Sequence, residues 1–144
     1  MITDAGFVGA KAALFCGGGL LTCLRDTRPG LPWPGMWDLP GGGREGDESP
    51  EACLLREVEE ELGLRLPPDR LAWQITLPSM TDPMRPSHFF AATITRAEIA
   101  AIRFGEEGQG WALMPTVDFL THSHAIPEMQ RRVRLALSAQ AVPQ

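Results

Sequence analysis

The chain has 144 residues, 44% of them hydrophobic, which suffices for one compact domain with a real core and leaves little for a second. Thirteen Lys and Arg against eighteen Asp and Glu give a net charge of -5, a balance that offers no general attraction to a polyanion and argues against nucleic acid as a partner. Cys16, Cys23 and Cys53 lack the even count of a disulfide framework and the close spacing of a zinc knuckle, and they fit a reduced, cytoplasmic setting.

Residues 8–16 and 20–25 read as strands, two short apolar runs separated by Gly17-Gly18-Gly19. The apolar part, residues 12–21, is too short and too broken by glycine to span a bilayer, and neither a secretion signal nor membrane association is expected. Residues 26–34 carry three prolines and Gly30, the composition of a surface loop at the border of a pocket. Trp33 and Trp37 could line that pocket or equally fasten the loop to the core. Residues 37–39 form a short extended piece that enters a turn at Pro40-Gly41-Gly42-Gly43, where glycine permits close approach.

A helix follows. Ser49 caps its first turn, Pro50 suits its first position, Glu51 meets the positive end of its dipole, and Gly63 stops it after Leu62. Ala52, Leu55, Val58 and Leu62 recur at helical spacing and are expected to face a sheet. Further strands are predicted at 71–77, 88–95 and 111–114, with loops at 78–86 and 105–110 between them. A short helical turn around 114–120 and a terminal helix over 127–139 complete the chain, the latter with Met129, Val133, Ala136 and Leu137 on one side. This order of elements predicts a mixed α/β fold with the sheet enclosed by helices.

The chemistry concentrates on the helix after Ser49. At about 100° per residue, Glu57, Glu60 and Glu61 read as a cluster opposite Leu55, Val58 and Leu62. Carboxylates this close repel one another unless compensated, and their hard oxygens suit Mg2+ or Mn2+; a solvated acidic face is the alternative. The glycine turn lacks both the Gly-Lys-Ser/Thr ending of a P-loop and the spaced glycines of a dinucleotide fingerprint, so alone it says little about phosphate. Arg56, between the apolar and acidic arcs, reads as an anchor for a carboxylate or a backbone carbonyl in preference to a phosphate contact. Cys53 is assigned to packing and Glu59 to solvent, while His88, His122 and His124 lack the spacing of a zinc site.

Gly42, Glu48, Arg56-Glu57-Val58, Glu60-Glu61 and Gly63-Leu64, with five, seven, one and one residues between them, resemble a complete Nudix box over residues 42–64, and Trp37-Asp38-Leu39-Pro40-Gly41 resembles its usual approach. The resemblance implies a Nudix fold, an alpha/beta/alpha sandwich with a mixed beta-sheet, as a single domain over residues 1–144. It implies divalent-metal-dependent hydrolysis of a phosphoanhydride bond in a nucleoside triphosphate, with ADP-ribose or a nucleotide sugar as the alternative. On the same basis Glu57, Glu60 and Glu61 hold Mg2+ or Mn2+, and Glu60 is preferred to Glu61 as the base. Glu48 either receives the Arg56 anchor or adds an outer metal interaction. Glu107, ahead of Glu106, is the further metal acid, and Arg25 meets phosphate. Gly41, Gly42 and Trp37 complete the binding candidates, with Trp33 and Trp73 also able to accommodate a base. A small nucleotide is the expected partner; a nonhydrolytic nucleotide-binding domain is the competing class. Trp111, Met129 and the terminal helix serve either a homodimer surface or the core.

Overall fold

The computed structural model describes residues 6–142. These form β1 (Gly9–Cys16), β2 (Gly19–Leu24), β3 (Trp37–Asp38), β4 (Gly41–Gly43), α1 (Pro50–Leu62), a 3-10 turn at Pro68–Arg70, β5 (Trp73–Pro78), β6 (Pro86–Thr93), α2 (Arg96–Ala100), β7 (Gly110–Pro115), α3 (Thr116–Thr121) and α4 (Pro127–Ser138). The sheet runs β3-β2-β1-β6-β5, with β4 paired to β1 and β7 paired to β2. β1 and β6 are parallel from Ala10 opposite His88 to Phe15 opposite Thr93, and the other pairings are antiparallel, so the sheet is mixed.

The apolar run of β1 has its reason in this position, because a central strand covered on both sides has no solvent face to leave polar. Ala10, Ala12, Leu14 and Cys16 point with Phe90 and Ala92 of β6 toward Cys53, Leu54, Val58 and Leu62 of α1. The intervening Ala13 and Phe15 point with Phe89 and Ala91 toward Met129, Val133 and Ala136 of α4 and Phe119 of α3. The result is an alpha/beta/alpha sandwich with one core on each face. Met129 is thereby committed to the interior, and Trp111 packs partly buried against the α1 core.

α1 has the predicted ends. Ser49 Oγ accepts from Ala52 N at 3.2 Å, Pro50 opens the helix, and the Gly63 N–H donates to Glu59 O at 2.8 Å. Its buried arc differs from the expected stripe. Leu54, Val58 and Leu62 form it, with Cys53 at one margin, whereas Ala52 is exposed and Leu55 half-buried. Residue 52 lies about 200° from residue 54 on the helical wheel, so the two cannot share a face.

Two other expectations change. Gly41–Gly43 is a strand and not a turn, with Gly41, Gly42 and Gly43 opposite Lys11, Ala10 and Gly9. A Cβ on Gly41 would stand 2.1 Å from Ala10 O, which shows why a residue type that disfavours strands forms one here. α2 was not anticipated; it is only five residues long, and its signature is the capping box in which the Thr95 hydroxyl accepts from Glu98 N and the Glu98 carboxylate accepts from Thr95 N. Among the described residues no helix is long and apolar enough to cross a membrane.

Candidate active site

A cleft of about 240 Å³ opens where α1, β4, the end of β2 and the loop before β7 meet. The strand alternation that builds the two cores also selects what enters it. Trp37 and Leu39 turn toward the α4 core, so Asp38 between them turns into the cleft, where it is 4% exposed. Asp38 Oδ2 accepts from Lys11 Nζ at 2.9 Å and from Arg25 Nη1 at 3.2 Å, and Oδ1 accepts from Leu39 N at 2.7 Å. Lys11 also donates to Leu39 O and Gly41 O, at 3.1 and 3.2 Å, and thereby ties β4 to the cleft wall. Burial disfavours the Lys11 charge, but the Asp38 and Glu61 charges and the Asp38 hydrogen bond outweigh it and raise the lysine's pKa above its ordinary value.

Glu57 and Glu61 enter the cleft from α1. On the wheel Glu61 lies only about 20° from Leu54, beside the buried arc and not opposite it. That placement desolvates it. Burial pushes its carboxyl up to about 7, with Glu57 and Asp38 adding to the rise and Lys11 and the Gly41 N–H, which donates to Glu61 Oε1 at 2.8 Å, opposing it. Burial also raises the Glu57 pKa, against the pull of Arg56. Glycine at position 42 makes room for Glu57: a Cβ there would lie 2.6 Å from its carboxyl carbon. Glu60, by contrast, is 56% exposed, accepts from Arg56 Nη1 at 3.2 Å and does not line the cleft.

Arg56 lies behind these acids and holds their scaffold. Its Nε and Nη2 grip Glu48 at 2.6 and 3.0 Å, Nη2 also donates to Gly43 O at 2.8 Å, and Nη1 donates to Glu57 Oε1 at 2.9 Å as well as to Glu60. With five N–H groups engaged by protein acceptors, this arginine is an anchor and has none left for phosphate. Glu48 is the residue that receives the fork, and the Arg56 hydrogen bond lowers its pKa, with burial acting against it. Cys53 packs behind, its Sγ 3.6 Å from Gly42 O and its thiol pushed up to about 11, chiefly by burial.

Of the other predicted residues, Arg25, Gly41, Gly42 and Glu107 line the cleft, and Glu106 does not. Trp37 does not line it either: its ring sits 6.4 Å from that of His122, and its backbone N–H donates to His124 O at 2.7 Å. Trp33 is 42% exposed in the loop after β2, and Trp73 stacks edge-on to Phe89, so neither tryptophan reaches the cleft. His88 stands on the wall of a neighbouring cavity, with its Nδ1 2.8 Å from Gln74 Nε2. Lys11, Asp38 and Arg28, none of them a site candidate from the sequence, also line the cleft. A single lysine inside an otherwise apolar strand, and an aspartate alternating with Trp37 and Leu39, were signals available for the first two.

A NUDIX domain model matches residues 9–133. Over 49 residues the chain is 47% identical to a nucleoside triphosphatase NudI of Enterobacter sp. strain 638, covering 34% of each chain. Over 52 residues it is 44% identical to an RNA pyrophosphohydrolase of Acidiphilium cryptum, covering 36% of this chain and 32% of that one. These matches therefore span about a third of the curated relatives' length. The crystal structure of a MutT protein from Methanosarcina mazei superimposes with a TM-score of 0.71 at 22% identity, covering 96% of this chain and 99% of that one. With the family model running from the first strand into the last helix, and the fold it describes present between them, the chain belongs to the Nudix family.

Proposed function

We propose that this protein is a divalent-metal-dependent hydrolase that cleaves a nucleoside triphosphate to the nucleoside monophosphate and pyrophosphate. The observation that carries the reading is the composition of the cleft, where Glu57 and Glu61 converge from α1 onto a space that Lys11, Arg25 and Arg28 also border. A polyphosphate needs both parts, cations for its outer oxygens and a counter-charged centre beside the bond that breaks.

The donor set suits a hard cation. Glu57 and Glu61 offer carboxylate oxygens to one desolvated space, and burial alone leaves both harder to ionise than usual, a cost that a cation would offset. Among the described residues no three His, Cys, Asp or Glu side chains are already gathered as a metal cage, since Glu57 and Glu60 are turned to Arg56. Glu57 and Glu61 would hold Mg2+ or Mn2+, with Glu60 and Glu107 as further oxygen donors. Such an ion supplies charge stabilisation to the phosphate oxygens.

The chain's own groups would do the rest. Arg25 and Arg28 orient the phosphates, and Arg56 keeps the acidic helix registered against β4. A carboxylate accepts the proton of the attacking water as its oxygen bonds to phosphorus and the bridging oxygen leaves with pyrophosphate. Glu61 lines the cleft whereas Glu60 does not, so the geometry favours Glu61 as base over the Glu60 preferred from sequence. The relative named as a nucleoside triphosphatase supports the substrate class. Its resemblance runs over 49 residues, 34% of this chain.

The test is a product-resolved screen of purified protein with Mg2+ or Mn2+. Substrates are nucleoside triphosphates, oxidised guanine triphosphate, ADP-ribose, nucleotide sugars, dinucleoside polyphosphates and a 5′-triphosphorylated oligonucleotide. Monophosphate plus pyrophosphate from a free triphosphate supports the reading. Folded protein that releases no product from any of them with either ion overturns it, and near-normal turnover in both Glu60→Gln and Glu61→Gln removes the proposed carboxylate base.

A further inference from the structure

A second cavity, of about 300 Å³, adjoins the cleft and shares Lys11, Arg25, Gly42 and Gly43 with it. The two compartments differ in chemistry. Five acids line the cleft, whereas the second cavity has no Asp or Glu in its wall. Met80 and Met129 give the second cavity soft, polarizable surface of the kind that packs well on a planar ring. Lys11 and Arg25 at its border are bound to Asp38, and the further cation in its wall is Arg132 of α4, which is 2% exposed.

Arg132 is held on two of its three nitrogens. Nε donates to Glu128 Oε2 at 2.8 Å, and Nη2 donates to Pro78 O at 3.1 Å and to Ser87 Oγ at 3.2 Å. No described residue accepts from Nη1. A guanidinium fixed in this way presents a preoriented donor to whatever fills the space, and a guest that offers no acceptor leaves a buried charged donor unpaired.

We propose that this cavity receives the base of the nucleotide and that Arg132 selects a ring carbonyl at the edge it meets, so that 6-keto purines are preferred to adenine. The inference rests on the nucleotide reading given above and adds to it which base is taken and which residue reads it. A 6-keto purine sets two adjacent acceptors, O6 and N7, before an arginine N–H; adenine replaces O6 with an amino group whose hydrogens face the same cation. The methionine-bearing wall suits a neutral ring better than a second phosphate, because Lys11 and Arg25 at its border are already bound to Asp38. Arg25, which borders both spaces, stands where the sugar and phosphates would connect them.

Inosine and adenosine triphosphates make a close pair, since they differ only in the group at C6 and the proton on the adjacent N1. For the unmodified protein, kcat/KM for the inosine compound is expected to exceed that for the adenosine compound by about tenfold or more, the worth of one hydrogen bond from a charged donor. A ratio below about threefold overturns the proposal. Arg132→Lys and Arg132→Met should bring the ratio toward unity, and a ratio preserved in both folded variants also overturns it. Arg132 holds Glu128 as well, so a readout that needs no variant is included. Calorimetry on the unmodified protein in EDTA should show inosine monophosphate bound about tenfold more tightly than adenosine monophosphate, and equal affinities count against the proposal. Triphosphate hydrolysis without base preference removes the Arg132 inference and leaves the hydrolase. Preferential binding of inosine monophosphate with no triphosphate hydrolysed removes the hydrolase reading and keeps the base cavity.

Discussion

Adding one methyl group at Gly41 or at Gly42 should separate scaffold from chemistry. At Gly41 the new Cβ would lie 2.1 Å from Ala10 O and 2.6 Å from Lys11 Cα, both backbone atoms, and φ is 129°, a conformation L side chains rarely adopt. No side-chain rotation relieves this clash. Backbone strain of about 1–3 kcal/mol and the loss of one or two β1–β4 hydrogen bonds at about 1 kcal/mol each sum to roughly 2–5 kcal/mol. For a chain of this size that lowers Tm by roughly 6–16 °C. At Gly42 the three atoms nearest the Cβ all belong to the Glu57 carboxyl group, the first 2.6 Å away at the end of a rotatable chain. Glu57 can swing aside for about 0.5–1.5 kcal/mol, and Arg56 keeps its grip on Glu48 and Gly43. Gly42→Ala should therefore melt within roughly 5 °C of the parent yet lose at least about tenfold in turnover, because an acid has left the cleft. Thermal melts followed by circular dichroism, with activity on the best substrate of the screen, give both numbers. Equal destabilisation by the two substitutions, or full activity in Gly42→Ala, would refute the argument.

Arg56→Lys replaces a five-donor fork with a point charge and should cost about 1–3 kcal/mol in denaturant unfolding; a midpoint unchanged from the parent would show that the anchor is dispensable. Asp38→Asn removes the carboxylate between Lys11 and Arg25, leaves Lys11 with the Glu61 charge and two backbone carbonyls, and should lower stability by about 1–3 kcal/mol, read by urea titration. Acid should weaken the fold partly through Glu98. The Arg70 hydrogen bond holds its folded-state pKa below the ordinary 4.5, with burial opposing the effect. The unfolded chain then takes up this proton first, so the contribution is complete above pH 4.5 and disappears as pH falls through the lower folded value. Melting curves across that range should fall less steeply for Glu98→Gln than for the parent, and parallel curves would remove Glu98 from the acid response.

The parts of the fold that were legible are those written in local chemistry. Ser49, Pro50 and Gly63 each satisfy a requirement of one helix end, and the box residues from Gly42 to Leu64 sit at fixed spacing within one stretch of chain. The side of the helix that each acid occupies was not legible, because several apolar residues of α1 compete for the interior and the sheet decides which arc wins. That choice moved Glu61 to the cleft and Glu60 to solvent. Trp37 was misplaced for a similar reason, since an alternating strand must send either Trp37 or Asp38 inward, and only the position of α4 settles which. Gly41–Gly43 has no side-chain alternation to reveal a strand, and its pairing with β1 joins segments about thirty residues apart in sequence.

The two banks of the cleft are stitched together. β7 pairs with β2 along its whole length, Gln109 N–H and its side-chain amide donate to Leu24 O and Arg25 O, and Gly108 N–H donates to Asp26. On the other bank, Arg103 and Gly105 donate to Leu62 O and Glu61 O at the end of α1. The segment bearing Glu107 is therefore a strut between the bank that carries Arg25 and the helix that carries the acids. Tied to both banks, this strut sets the spacing between Arg25 and the acids of α1, as a spacer sets the gap between two plates.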